Sequence, residues 1–230
     1  MKTVAVLLDG GFVLTRLYHL LGKRHATAEE VYAFARACAT EDEEIFRIYY
    51  YDCPPYQETI TNPLDPHELI NYGRTGTATR KLDLQRKLVM KDLVAYRKGD
   101  LGFDGWGLSR TAENDLFRNP REVNAQDLKP KFRQKQVDIK IGLDVAWLAS
   151  KHIVDRIILV TGDSDFVPAM KFARREGTQV IIVPMGHKYI KKALLEHADF
   201  ARHVPLPAPL FHTPYTNPKC LTYLTLLDRN

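Results

Sequence analysis

Six aspartates occupy positions from which carboxylates could do chemistry together. Asp9 closes the apolar run 3–8, and Asp163 and Asp165 alternate in the turn Thr161-Gly162-Asp163-Ser164-Asp165 after a second apolar run, 156–161. Buried strands of parallel sheets deliver functional groups at their C-terminal ends. Asp52, at the end of the run 45–52, adds a third strand-end acid. Each also has a plainer reading as a helix N-cap, because an Asp side chain accepts the free N–H groups of a first turn. A helix needs only one cap, so the pair Asp163 and Asp165 leaves one carboxylate to face a cleft. Asp138 and Asp144 share a predicted helix over 138–151 whose apolar face is Ile141, Val145 and Leu148. At about 100° per residue they lie roughly 60° to either side of the centre of that face. Asp138 could again be a cap. Asp144 is mid-helix and needs a cation or donor, which Lys140 could supply from one turn back.

Carboxylates brought this close repel one another and are held together by a divalent ion. All-oxygen ligands select hard cations, so Mg²⁺ or Mn²⁺ is expected rather than zinc. Such a site polarises a phosphoryl oxygen, and phosphodiester hydrolysis is the chemistry it suits. The segment 127–140 carries Lys129, Lys131, Arg133, Lys135 and Lys140 against Asp127 and Asp138, and it leads directly into the predicted ligand. These cations, with Arg80, Lys81, Arg86 and Lys87 on a second predicted helix, are candidate contacts to nucleic-acid phosphates. Solvated surface is the alternative reading for the second group. Trp106 and Tyr49–Tyr51 could stack on bases, although core packing suits at least two of the tyrosines.

The elements that must position these groups read as alternating strands and helices. Strands are expected at 3–8, 45–52, 156–161 and 178–184, and helices at 12–21, 79–96, 138–151, 165–176 and 188–197. A further helix follows Thr27, where Glu30 completes a capping box. This order predicts an α/β protein with a mostly parallel sheet. Residues 53–136 form a less regular excursion. Within it 98–108, with four glycines, suggests a bent strand, and 109–136 is polar and irregular. A single domain over 1–204 and a Pro-rich extended tail over 205–230 are expected.

With 45% hydrophobic and 27% charged residues, disorder and fibrous classes are excluded. A net charge of +5 permits a nucleic-acid partner without requiring one. Cys38, Cys53 and Cys220 have no zinc or disulfide spacing. No stretch approaches about 18 apolar residues. A cytoplasmic protein with no membrane partner is expected, and a homodimer is left open.

Three blocks, VAVLLDGG at 4–11, KQVDIKIGLDVAWLA at 135–149 and ILVTGDSDFVPAMKFARREGTQVIIV at 158–183, resemble the NYN domain family of PIN-like metal-dependent ribonucleases. The third block is the most specific. The resemblance implies a Rossmann-like α/β/α sandwich, an acidic Mg²⁺ or Mn²⁺ centre and endonucleolytic cleavage of RNA. By motif it implies Asp9, Asp138 and Asp163 as catalytic ligands and Asp144 and Asp165 as further metal ligands, with Thr161 and Ser164 supporting the turn. One departure stands out. Where the family often has Asn three residues after its first Asp, this chain has Phe12, which raises the alternative of a catalytically weakened RNA-binding or regulatory module.

Overall fold

The computed structural model describes residues 1–187 and 190–207. Strand β1 (Lys2–Asp9) runs into helix α1 (Gly10–Leu20), and α2 (Ala28–Ala37) leads to β2 (Glu43–Asp52). A hairpin of β3 (Thr59–Asn62) and β4 (Asp65–Asn71) precedes α3 (Gly76–Val89) and β5 (Val94–Lys98). A ribbon of β6 (Asp100–Leu108) and β7 (Leu128–Lys135) encloses α4 (Arg110–Arg118). Then follow α5 (Val137–Ser150), β8 (Arg156–Val160), α6 (Val167–Arg175), β9 (Gln179–Ile182), α7 (Lys192–Glu196) and β10 (Phe200–Ala201).

Six strands form one sheet in the order β10-β9-β8-β1-β2-β5, and every pairing in it is parallel. Val4 to Leu8 of β1 are wholly buried, as a continuous apolar run at the centre of a parallel sheet requires. Successive side chains of a strand point to opposite faces. Val4, Val6 and Leu8 pack with Val13 and Leu17 of α1, Val31 and Phe34 of α2, and Leu84 and Leu88 of α3. Ala5 and Leu7 pack with Ile141, Val145 and Leu148 of α5 and Met170 of α6. Three layers result, α/β/α. Burying each such Val or Leu stabilises the fold by roughly 1.5–3 kcal/mol.

The chain lays β2 and β5 on one side of β1, then returns to lay β8, β9 and β10 on the other. Strand order therefore reverses between β1 and β8. A crevice opens at the carboxyl ends of strands at such a switch, and ligands of open α/β sheets bind there. Asp9 ends β1 at this point, and Thr161 follows β8.

Local signals account for several boundaries. The Glu30 backbone N–H donates to Thr27 Oγ1 at 3.2 Å and the Thr27 N–H to Glu30 Oε2 at 2.8 Å, completing the expected capping box. Helix α3 stops at Val89 rather than Tyr96. Leu93 takes a left-handed φ of 63°, and Val94 to Lys98 become β5, pairing with Ile48 to Asp52. The segment 109–136 is more ordered than its polarity suggests: Ser109 caps α4, and 128–135 is the strand β7. Cys38 and Cys53 are free and buried. Among the described residues no helix is long and apolar enough to cross a membrane. Cys220 and most of the expected tail lie outside the described residues.

Candidate functional site

Asp9 does two things at the end of β1. Its Oδ1 accepts the Phe12 backbone N–H at 3.2 Å, capping α1, and its Oδ2 accepts the Thr161 hydroxyl at 3.0 Å. Thr161 Oγ1 in turn accepts the Asp163 N–H at 3.1 Å. One buried hydroxyl thus fastens the ends of β1 and β8 across the strand-order switch. Two glycines permit the close approach. A Cβ on Gly10 would lie 2.6 Å from the Tyr51 carbonyl oxygen, and one on Gly162 would lie 2.7 Å from the Phe12 ring. The Phe12 ring also faces His187, with centroids 6.1 Å apart. An aromatic side chain therefore packs against the turn that carries Asp163.

Asp163 Oδ1 accepts the Asp165 N–H at 3.1 Å and faces the Lys191 ammonium at 3.4 Å. Lys191 also donates to Ser164 Oγ at 2.9 Å. Asp138 stands exposed in the first turn of α5, after Gln136, whose φ of 70° turns the chain from β7 into the helix. The acids sense one another. Burial holds the Asp9 carboxyl above its usual range, and the charges of Asp138 and Asp163 push it the same way, against the Phe12 and Thr161 hydrogen bonds. Partial burial raises Asp138, and Asp163 and Asp165 raise it further.

Asp9, Asp138 and Asp163 therefore lie within electrostatic reach of one another at the C-terminal ends of β1 and β8, with Asp165 in reach of Asp138. Their hard oxygen donors suit Mg²⁺ or Mn²⁺. Among the described residues no three His, Cys, Asp or Glu side chains are gathered into a ready ligand set. An ion held here would have to keep much of its water and take one or two carboxylates, as Mg²⁺ commonly does. Asp138 and Asp163 are the accessible carboxylates that would hold it, with Asp9 behind them.

Asp144 is elsewhere. Arg97 of β5 grips it with two hydrogen bonds, Nε to Oδ2 at 2.9 Å and Nη2 to Oδ1 at 3.1 Å, and Tyr51 donates its hydroxyl to Oδ2 at 2.7 Å. The aspartate anticipated as a further ligand is a bidentate tie between α5 and the sheet. Its local partner also differs from expectation: Lys140 donates to the Lys98 carbonyl at 2.5 Å. Lys81, anticipated at the RNA, instead sits 2.8 Å from Asp52 Oδ1. Asp52 is almost wholly buried, where Gln85 and the Cys53 N–H also bond it, so the Lys81 charge neutralises an interior carboxylate. Arg80 remains exposed on α3. Tyr49, Tyr50 and Tyr51 are all buried, and Trp106 packs edge-on against Phe103. Lys129, Lys131, Arg133 and Lys135 are exposed on β7, which leads into Asp138.

Sequence reasoning did not single out Arg97, Gln85 or Lys191. The first two act across separations of 47 and 33 residues, which no local pattern carries. Lys191 is the first of two lysines opening α7, an ordinary-looking surface pair.

The sequence matches the NYN domain over residues 4–206. It is 34% identical over 85 residues to the uncharacterized protein MJ0482 of Methanocaldococcus jannaschii. That match takes in 37% of this chain and 34% of the relative, so the chain spans about a third of that protein's length. The crystal structure of VPA0982, a protein of unknown function from Vibrio parahaemolyticus, aligns with 89% of this chain and 93% of its own, at a TM-score of 0.46 and 16% identity. With the domain match covering nearly all of the described chain, from the first strand to beyond β10, this protein belongs to the NYN domain family, within the PIN-like nuclease superfamily.

Proposed function

We propose that this chain is a Mg²⁺- or Mn²⁺-dependent endoribonuclease that hydrolyses RNA phosphodiester bonds at the crevice between β1 and β8. The observation that carries this reading is the mutual charge of Asp9, Asp138 and Asp163 at the strand-order switch of an NYN fold. A bound divalent ion supplies Lewis-acid stabilisation of the charge that develops on the phosphate. Asp163 and Asp138 would hold that ion, and Asp9 would fix the geometry through Thr161. Lys191, beside Asp163 and Ser164, would place a positive charge near the phosphate.

Incubating the protein with structured and unpaired RNA in Mn²⁺ tests this. EDTA-sensitive internal cleavage is expected. Asp163→Asn should lower its rate about 10²–10³-fold, the scale of removing a preorganised charge-stabilising group. Cleavage that ignores EDTA, or full activity in Asp163→Asn, overturns the reading. A second reading, an RNA-binding module with little turnover, is favoured by one observation: the Phe12 ring lies against Gly162, next to Asp163 in the chain. Calorimetric titration with Mn²⁺ separates the two, since a nuclease must bind the ion and a degenerate centre binds it weakly.

A further inference from the structure

The β6–β7 ribbon is two-faced. On β7 the side chains of Lys129, Lys131, Arg133 and Lys135 share one face, and all four are exposed. The register sets Gly107 opposite Lys129, Gly102 opposite Arg133 and Asp100 opposite Lys135. The cationic face thus has bare backbone over much of its width. The Lys131 stem lies across Gly107, and the Lys135 Nζ lies 3.7 Å from where a Gly102 side chain would begin. The opposite face is apolar. Phe103 and Phe132 pack there with Tyr56 and Tyr72, at centroid separations of 5.0–6.2 Å. That aromatic cluster anchors the ribbon against the segment around β3 and β4, so its cations are held in place.

Little on the ribbon neutralises this row. Among the described residues only Arg133 of the four has an acidic partner, Asp104, at 2.9 Å. Cations at alternate strand positions stand about 6.7 Å apart. That spacing is close to the repeat of consecutive phosphates along an extended nucleic-acid strand. The row ends at Lys135, three residues before Asp138.

We infer that the solvent face of the β6–β7 ribbon binds the phosphate backbone of an unpaired RNA strand and leads that strand to the acidic crevice. The inference rests on the RNA-cleaving reading for its choice of polymer. One row of charge follows one backbone. A duplex offers two, and β6 places glycine and aspartate where a second row of cations would be needed. The contacts are to phosphates, and phosphate contacts position a strand without reading its sequence. Binding is therefore expected to be sequence-independent and strongly dependent on salt.

The test is fluorescence anisotropy with the full chain in EDTA, which separates binding from cleavage. The probes are a labelled unstructured 20-mer oligoribonucleotide and a blunt RNA duplex of equal length. The variant carries Lys129→Gln, Lys131→Gln, Arg133→Gln and Lys135→Gln. A charge-matched control carries Arg36→Gln, Lys151→Gln, Lys171→Gln and Arg175→Gln, all exposed and off the ribbon. At about 0.7 per phosphate contact in single strands, the ribbon variant should flatten the slope of log K against log salt by about 2–3. Its affinity for the unpaired strand in 50 mM salt should fall at least tenfold, with the control unchanged. Equal slopes in the variant and the unmodified protein, or tighter binding of the duplex, overturn the inference. A flattened slope in a protein that cleaves no RNA keeps the ribbon and removes the nuclease reading. Cleavage lost in Asp163→Asn alongside an unchanged ribbon slope does the reverse.

Discussion

Glu43, at the N-terminal end of β2, and Asp9, at the C-terminal end of β1, are both carboxylates withdrawn from water, and their surroundings treat them in opposite ways. Arg156 meets Glu43 Oε1 at 2.8 Å, and Arg202 spans both oxygens at 2.7 and 2.9 Å. The Thr40 N–H donates to Oε2 at 2.9 Å. Burial alone would raise the Glu43 carboxyl, but the bonds from Arg202, Thr40 and Arg156 outweigh it and bring the pKa to about 2. Asp9 has no cation of its own among the described residues. Burial raises it, and its charged neighbours are Asp138 and Asp163. One edge of the sheet therefore closes its charges into a structural network, while the other keeps negative charge without a full set of protein counter-ions.

The contrast is sharpest if one edge is broken at a time. Arg202→Ala should have the largest effect on stability, about 3–5 kcal/mol, because it leaves Glu43 buried and short of its counter-charge. Urea unfolding measures it, and a loss below about 1 kcal/mol would show the network to be ordinary surface pairing. Second comes pH. A carboxyl whose folded pKa is depressed contributes stability above its unfolded value that is lost as the pH falls toward the folded one. For Glu43 that window runs from 4.5 down to about 2. Glu43→Gln should thus be much less stable than the unmodified protein at pH 7, and the gap should narrow at pH 2–3. The smallest effect lies at the other edge. Asp138 is raised in the folded state, so its ionisation costs stability that appears only above the ordinary carboxylate range. Asp138→Asn should raise Tm at pH 7 by no more than about 4 °C, since exposed charge pairs are worth about 0–1 kcal/mol and 1 kcal/mol moves Tm by about 2–4 °C at this length. The gain should vanish at pH 3. A fall in Tm at pH 7 would mean that Asp138 has a stabilising partner.

The same two edges differ in how far the sequence discloses them. β1, β8 and β9 were legible as continuous apolar runs, and the turn between β8 and α6 as a pair of aspartates too many for one cap. The cap reading of Asp9 holds, since its Oδ1 accepts the Phe12 N–H, and its Oδ2 takes a partner no local pattern gives, the Thr161 hydroxyl. β5 reads as the end of a helix over 79–96 because Leu93 and Tyr96 continue the apolar spacing of α3, and it is the left-handed Leu93 that breaks it. β7 did carry a period of two, but in its lysines rather than in apolar residues, and charge alternation reads as surface. The long-range ion pairs were not legible at all. Asp144 was paired in expectation with Lys140, four residues away, and Lys81 with solvent or phosphate. Their partners, Arg97 and Asp52, are set by which strands lie side by side.

The hydroxyl of Thr161 also joins β1 to a part of the chain made much later. Val4 lies beside Arg156 and Leu8 beside Val160, so one edge of β1 waits through the synthesis of all the intervening elements for the strand that covers it. Pairings between such distant segments are slow to form. Until β8 arrives, Asp9 has neither Thr161 nor Asp163, and the crevice does not exist. Any fragment ending before residue 156 therefore carries an open sheet edge and none of the assembled centre, and a nascent chain holds no half-built version of it.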